Sequence, residues 1–346
     1  MKKCATAARD KIPLCPEAAT SAKYRRIVAA LEAGAIGVAF LMPLVFWPSA
    51  ESPFSSAKQW LLFVWVLLGF AGAGASRLYR QRRLPGRVTM ALALWITALS
   101  LSAALGTEVS LRALADALLP CANFLLLFWI APKPQKFVLA LVVSGSVVAS
   151  VAILQYLHVD PFRLFGLAGS IQGSSRILVF STLGNPNFVA SFLVCLLPLT
   201  CVCAANAGLV GSTSARLCAL AALVQAGAIV ATGSRAPILA ILAAGAWLFF
   251  CGNRSWMRFL WIGLLITAAL LVFSPARPLN KTIAGRLYIW KVAAKHIAEV
   301  PFAGYGPGAF PLRFAEWETA YLRLSPETEN RRFAGLQDHA HNDYLE

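Results

Sequence analysis

Apolar residues in this chain run in long blocks rather than recurring on one side of a helical or strand period. Nine such blocks can be marked, at 27–47, 60–75, 88–105, 114–130, 137–157, 188–207, 217–231, 237–251 and 259–273. A membrane-crossing helix needs about 20 apolar residues, so the shorter blocks must extend into their flanks. A backbone surrounded by lipid has no water to bond to, and helices satisfy every amide internally. The pattern therefore predicts an all-α polytopic membrane protein. A polar segment separates the fifth and sixth blocks (158–187), and the seventh and eighth form a tight hairpin around 232–236. Residues 274–346 are polar enough to lie outside the bilayer, and no internal repeat or low-complexity stretch is present.

Composition agrees with this reading. Apolar residues make up 58% of the chain and charged residues 13%, against about 25% charged in a soluble domain. The net charge of +16 would suit a nucleic-acid partner, but its distribution argues against one. With the N-terminus inside, the tail and the inner loops collect most of the membrane-flanking Lys and Arg, including the run Arg77, Arg80, Arg82, Arg83 and Arg87. The short outer loops hold only Lys58, Arg112, Arg163, Arg176 and Arg235. That asymmetry is the positive-inside pattern. It assigns 1–26 to a cytoplasmic tail, 27–273 to a transmembrane domain of nine helices, and 274–346 to the outer face. The first apolar block exceeds the 7–15 residues of a signal-peptide core, so it reads as an uncleaved helix. None of the eight cysteines has CxxC spacing, which excludes a disulfide framework or a zinc site.

Four outward-facing side chains stand out on this topology. Arg176 precedes the sixth block, Arg235 tips the hairpin, Arg286 lies on an amphipathic helix expected over 282–300, and His341 sits in the closing segment. Guanidiniums bind phosphate through paired hydrogen bonds and stay charged at a membrane surface. Outer arginines also simply snorkel to headgroups, and Arg176 taken alone fits that reading. Arg235, between two short apolar arms, is a functional candidate by default. His341 suits a general base for a sugar hydroxyl because its pKa lies near neutrality. Asn342 is its expected orienting neighbour and His339 the second candidate. A metal held by His339, His341, Asp338 and Asp343 is the weaker alternative, since no further ligand cluster accompanies them. His296 reads as structural and His158 as a lone loop residue. The glycine-rich turn 304–308 is a weak candidate phosphate cradle. Asn123, Gln155 and Gln225 leave room for a small-solute or anion transporter, because transporters place polar groups near the midplane.

Four stretches then carry a family resemblance: GNPNFVA at 184–190, TGSRA at 232–236, GRLYIW at 285–290 with PFAGYG at 301–306, and HNDYL at 341–345. In this order they resemble the signatures of the O-antigen ligase/polymerase family, over about residues 27–346. The resemblance implies a bacterial inner-membrane glycosyltransferase of the GT-C type, with a large periplasmic loop and neither cofactor nor metal. It implies transfer of a glycan from undecaprenyl diphosphate to a lipid-anchored acceptor, commonly a sugar of the lipid A core. Arg176, Arg235 and Arg286 would hold the diphosphate and His341 would activate the acceptor hydroxyl. Asn185 and Asn187, in the first stretch, would support them. Polymerases of the same family are the alternative. The family's chains continue past the HNDYL stretch, so further helices are expected beyond Glu346.

Overall fold

The computed structural model describes residues 22–50, 52–78, 82–167, 179–234, 237, 240, 279–301 and 304–324. Ten helices are described: α1 (Ala22–Leu41), α2 (Ser56–Ala75), α3 (Gly86–Leu105), α4 (Leu111–Ile130), α5 (Pro134–Tyr156), α6 (Pro186–Ala205), a single turn α7 (Ala207–Val210), α8 (Ser212–Thr232), α9 (Leu279–Ile297) and α10 (Ala309–Leu324). No strand occurs among the described residues. Six helices, α2 to α6 and α8, are long and apolar enough to cross a membrane. The chain is an all-α, multi-pass membrane protein. Apart from residues 237 and 240, the eighth and ninth predicted blocks lie outside the described residues.

Helix ends follow local chemistry. Proline occupies the first turn of α5 and α6, where its missing amide hydrogen costs nothing. Ser110 caps α4, and Gly233 ends α8 in the left-handed conformation. The helices approach through small residues, as expected where lipid competes equally for apolar side chains. A Cβ on Gly145 of α5 would collide with Leu196 of α6. Val148, Ala149 and Ala152 of α5, Val189 and Leu193 of α6, and Ala228 and Ile229 of α8 form one core. Leu31 and Ala35 of α1, Trp65 and Val66 of α2, and Leu126 of α4 form a second. Helix α3 buries none of its residues among the described part.

The first apolar block departs from a simple crossing. Helix α1 starts at Ala22, inside the basic tail, and stops at Leu41 rather than running to residue 47. Pro43, two residues on, has no amide hydrogen to continue the ladder. Its carbonyl instead accepts the Thr182 hydroxyl at 2.7 Å. With Lys23, Arg25, Arg26 and Glu32 in its length, α1 is not among the six spanning candidates.

Part of the polar segment 158–187 also folds into the core. Val179, Phe180, Ser181 and Thr182 are all buried. The Ser181 amide donates to Gln155 Oε1 at 2.7 Å, and its hydroxyl donates to the Val148 carbonyl at 2.7 Å. Irregular backbone at this depth is tolerated only when protein groups satisfy it. Phe46, Phe54, Phe162 and Phe180 close over it, with edge contacts at ring separations of 5.1 to 5.5 Å.

Candidate functional site

The N-terminus of α6 and the C-terminus of α8 meet at one end of the bundle. Asn185 caps α6 by accepting the Asn187 amide at 2.8 Å, and Pro186 follows at the first helical position. Asn187 turns its Oδ1 across to α8, where it accepts the Ser234 hydroxyl at 2.8 Å. Thr232 closes its own helix end, donating to the Ile229 carbonyl at 2.7 Å and accepting the Ser234 amide at 3.2 Å. Two motifs 47 residues apart are thereby joined through one buried hydroxyl, Ser234 being 6% exposed. The residue after Ser234 is Arg235, which lies outside the described residues, as do Arg176, His339, His341 and Asn342.

Lys58 is part of the same end. The sequence placed it in an outer loop, but it belongs to the first turn of α2. Its ammonium donates to the carbonyls of Val45 at 2.7 Å, Phe54 at 2.7 Å and Thr182 at 2.8 Å. A lysine at the edge of an apolar block reads as a snorkelling charge, so nothing in the sequence signals this inward role.

Helices α9 and α10 form a separate packed pair. Tyr288, Ile289, Val292 and Ala293 of α9 bury against Phe310, Phe314 and Trp317 of α10. Arg286 lies on the exposed surface of α9. Burial raises the Tyr288 hydroxyl above the usual phenol range, and the negative charge of the nearby Glu318 carboxylate adds to the shift. His296 stacks on Trp317 at 5.0 Å and pairs through Nδ1 with Glu299 at 3.3 Å. Glu299 also accepts the Tyr305 hydroxyl at 2.7 Å. This bond, with the one from His296, lowers the Glu299 carboxyl below its ordinary value of 4.5. A group lowered on folding stabilises the fold above its unfolded pKa, and the contribution is lost as pH falls through the folded value. The α9–α10 pair is therefore expected to loosen below about pH 4.5. Glu299→Gln should flatten that dependence, read by hydrogen exchange of residues 288–322 between pH 3 and 6.

The pair is fastened to the bundle by the α3–α4 loop. Glu108 and Ser110 donate their amides to the carbonyls of Tyr305 and Pro307, both at 2.9 Å. Arg313 reaches Glu108 at 3.0 Å and lies over the Tyr305 ring at 5.1 Å. Gly306, at φ +113, has no room for a Cβ because the Glu108 carbonyl occupies the place. The 304–308 turn considered as a phosphate cradle is thus a docking surface for a neighbouring loop. The α3–α4 loop lies at the same end as the α6–α8 junction, since Gln59 at the start of α2 donates to Asp116 near the start of α4 at 2.7 Å, and Lys58 ties that turn of α2 to Thr182.

The polar residues that left a transporter open are bonded internally. Asn123 accepts the Trp65 indole N–H at 3.0 Å and Gln155 bonds Ser181 and Asp160, while Gln225 accepts the Thr200 hydroxyl at 3.0 Å through Oε1 and its buried Nε2 has no hydrogen-bond partner among the described residues. His158 is exposed and ends α5 with a positive φ of 66°.

Comparison with curated proteins and with solved structures gave no match. Residues 220–346 match the family model described as O-antigen ligase, a stretch that includes the end of α8, all of α9 and α10 and the closing HNDYL segment. That stretch, the C-terminal part of the chain, is similar to the O-antigen ligase family.

Proposed function

We propose that the protein transfers a glycan from undecaprenyl diphosphate to a hydroxyl of a lipid-anchored acceptor, at the periplasmic face of a bacterial inner membrane. The family match over residues 220–346 supports glycosyl transfer of the O-antigen ligase/polymerase kind in general. The observation that carries the finer reading is the Ser234 to Asn187 hydrogen bond. It joins the loop leading to Arg235 to the start of α6, at the bundle end to which the turn between α9 and α10 is bonded. In this reading 27–273 is the membrane domain, of the GT-C type, and 274–346 the periplasmic part.

Arg176, Arg235 and Arg286 hold the diphosphate. Breaking the bond between the anomeric carbon and the phosphate oxygen leaves added negative charge on the leaving group. Fixed guanidiniums stabilise that charge more than the neutralised ground state, which is the part of binding that accelerates a reaction. His341 takes the acceptor hydroxyl proton, with Asn342 orienting the ring and His339 beside it. Attack from the face opposite the leaving group inverts the anomeric centre. A polymerase would use the same groups with a lipid-linked glycan as acceptor. The internal bonding of Asn123 and Gln155 favours transfer over solute transport. The test is His341→Ala in the full-length protein. Transfer is expected to fall by about 10²- to 10⁴-fold, the usual contribution of a general base, at unchanged protein level. Transfer at the wild-type rate would remove His341 from the mechanism.

A further inference from the structure

Lys58 has more partners than an interfacial lysine needs. An ammonium has three N–H donors and no acceptor, and here all three donors are matched to carbonyls from two segments of chain. Val45 and Phe54 belong to the α1–α2 connection, and Thr182 belongs to the buried turn before α6. No carboxylate pairs with it among the described residues, so the side chain acts on backbone alone. Thr182 is held a second time through its hydroxyl on the Pro43 carbonyl. Gly184 follows, with φ +75, and a Cβ there would fall 2.7 Å from the Phe54 ring. The next residue caps α6, and two further on Asn187 accepts the Ser234 hydroxyl. A continuous relay of bonded groups thus runs from the Lys58 ammonium to the residue preceding Arg235.

We propose that Lys58 is a positioning residue for the diphosphate-binding edge, fixing residues 182–187 so that Asn187 and Ser234 set the point from which Arg235 departs. The proposal rests on the reading that Arg235 holds the donor diphosphate. Lys58 touches no substrate in it. Its three bonds anchor the α1–α2 connection to the turn before α6, and an irregular segment inside a helical bundle has few other means of keeping a single register. A methionine there keeps the length and apolar stem but donates nothing, leaving three partly buried carbonyls without their partner.

The experiment compares the full chain in lipid nanodiscs as wild type, Lys58→Met and Asn187→Ala. Hydrogen exchange is read by mass spectrometry, and steady-state kinetics use a polyprenyl-diphosphate-linked glycan as donor. Lys58→Met is expected to speed exchange at least tenfold in both 181–187 and 232–234 while 288–322 stays unchanged. The kcat/KM for the donor should fall at least fivefold, mainly through kcat, because Arg235 acts on charge that develops in the transition state. Asn187→Ala cuts the relay downstream, so 232–234 should loosen and kcat fall while 181–183 remains protected. Faster exchange confined to 181–187 would make Lys58 a local staple and overturn the proposal. Loosening of both segments with KM and kcat unchanged would overturn it as well. If Lys58→Met fails to fold, Asn187→Ala decides alone, and an unchanged kcat there refutes the relay. Absence of transfer in the wild type would instead count against the donor reading, and the exchange data would still decide whether Lys58 and residues 232–234 are coupled.

Discussion

Replacing Arg235 with alanine is expected to cut glycan transfer by roughly a hundred- to a thousand-fold, the loss typical of removing one preorganised stabiliser of transition-state charge. In the proposed reading Arg235 sits at the membrane edge, where a charge interacts more strongly than in bulk water. Its starting point is fixed, since Ser234 is buried and bonded to Asn187. Arg235→Lys should recover only part of the rate, because a lysine keeps the charge and loses the paired hydrogen bonds. Arg216, exposed near the opposite end of the same helix, supplies the control. Arg216→Ala should leave transfer unchanged. Equal losses in the two variants would mean that α8 responds to any change of charge, and the assignment of Arg235 would fall.

The second large effect is expected at Gly306. Its φ of +113 strains any residue with a Cβ, and the Glu108 carbonyl already fills the space that a Cβ would need. Backbone strain of this kind costs about 1–3 kcal/mol, before the collision is counted. At 1.4 kcal/mol per factor of ten, Gly306→Ala should shift the α9–α10 pair away from the α3–α4 loop by at least about tenfold. Hydrogen exchange at the Glu108 and Ser110 amides would report the change directly, because both donate to the 304–308 turn. Gly37→Ala, where nothing lies within 4 Å, should behave as wild type. Arg286 rides on α9, so transfer should fall together with docking. Unchanged exchange at Glu108 and Ser110 in Gly306→Ala would show that the turn does not hold the pair in place.

The sequence pattern recovered most of the described helices because lipid imposes a simple rule on composition. The blocks at 88–105 and 137–157 coincide with α3 and α5 to within a few residues, and the helix expected over 282–300 appears as α9 at Leu279–Ile297. Block one failed at its outer end because Pro43 stops the helix while the apolar run continues. Helix α10 went unpredicted although its core positions Phe310, Phe314, Trp317 and Tyr321 follow the helical period. Pro311 suggests a break there, yet it lies in the first turn, where proline is tolerated. Its apolar positions are also interleaved with charged ones, which hides them in a polar region. The site was legible only as separate motifs. Nothing in sequence spacing reveals that Asn187 meets Ser234, that Gly306 is filled by the Glu108 carbonyl, or that Lys58 turns inward to Thr182. Those contacts join segments from 47 to nearly 200 residues apart, and only packing brings them together.

The central claim is that a lipid diphosphate is the donor and that its release is coupled to glycan transfer. Its most direct measurement follows both products of the purified full-length protein in lipid vesicles, given a polyprenyl-diphosphate-linked glycan and a lipid-anchored sugar acceptor. The account predicts free polyprenyl diphosphate and glycosylated acceptor appearing in equal amounts, with inverted anomeric configuration, and both lost in His341→Ala. Solute uptake into the vesicles with neither product formed, or glycan transfer with retained configuration, would contradict it.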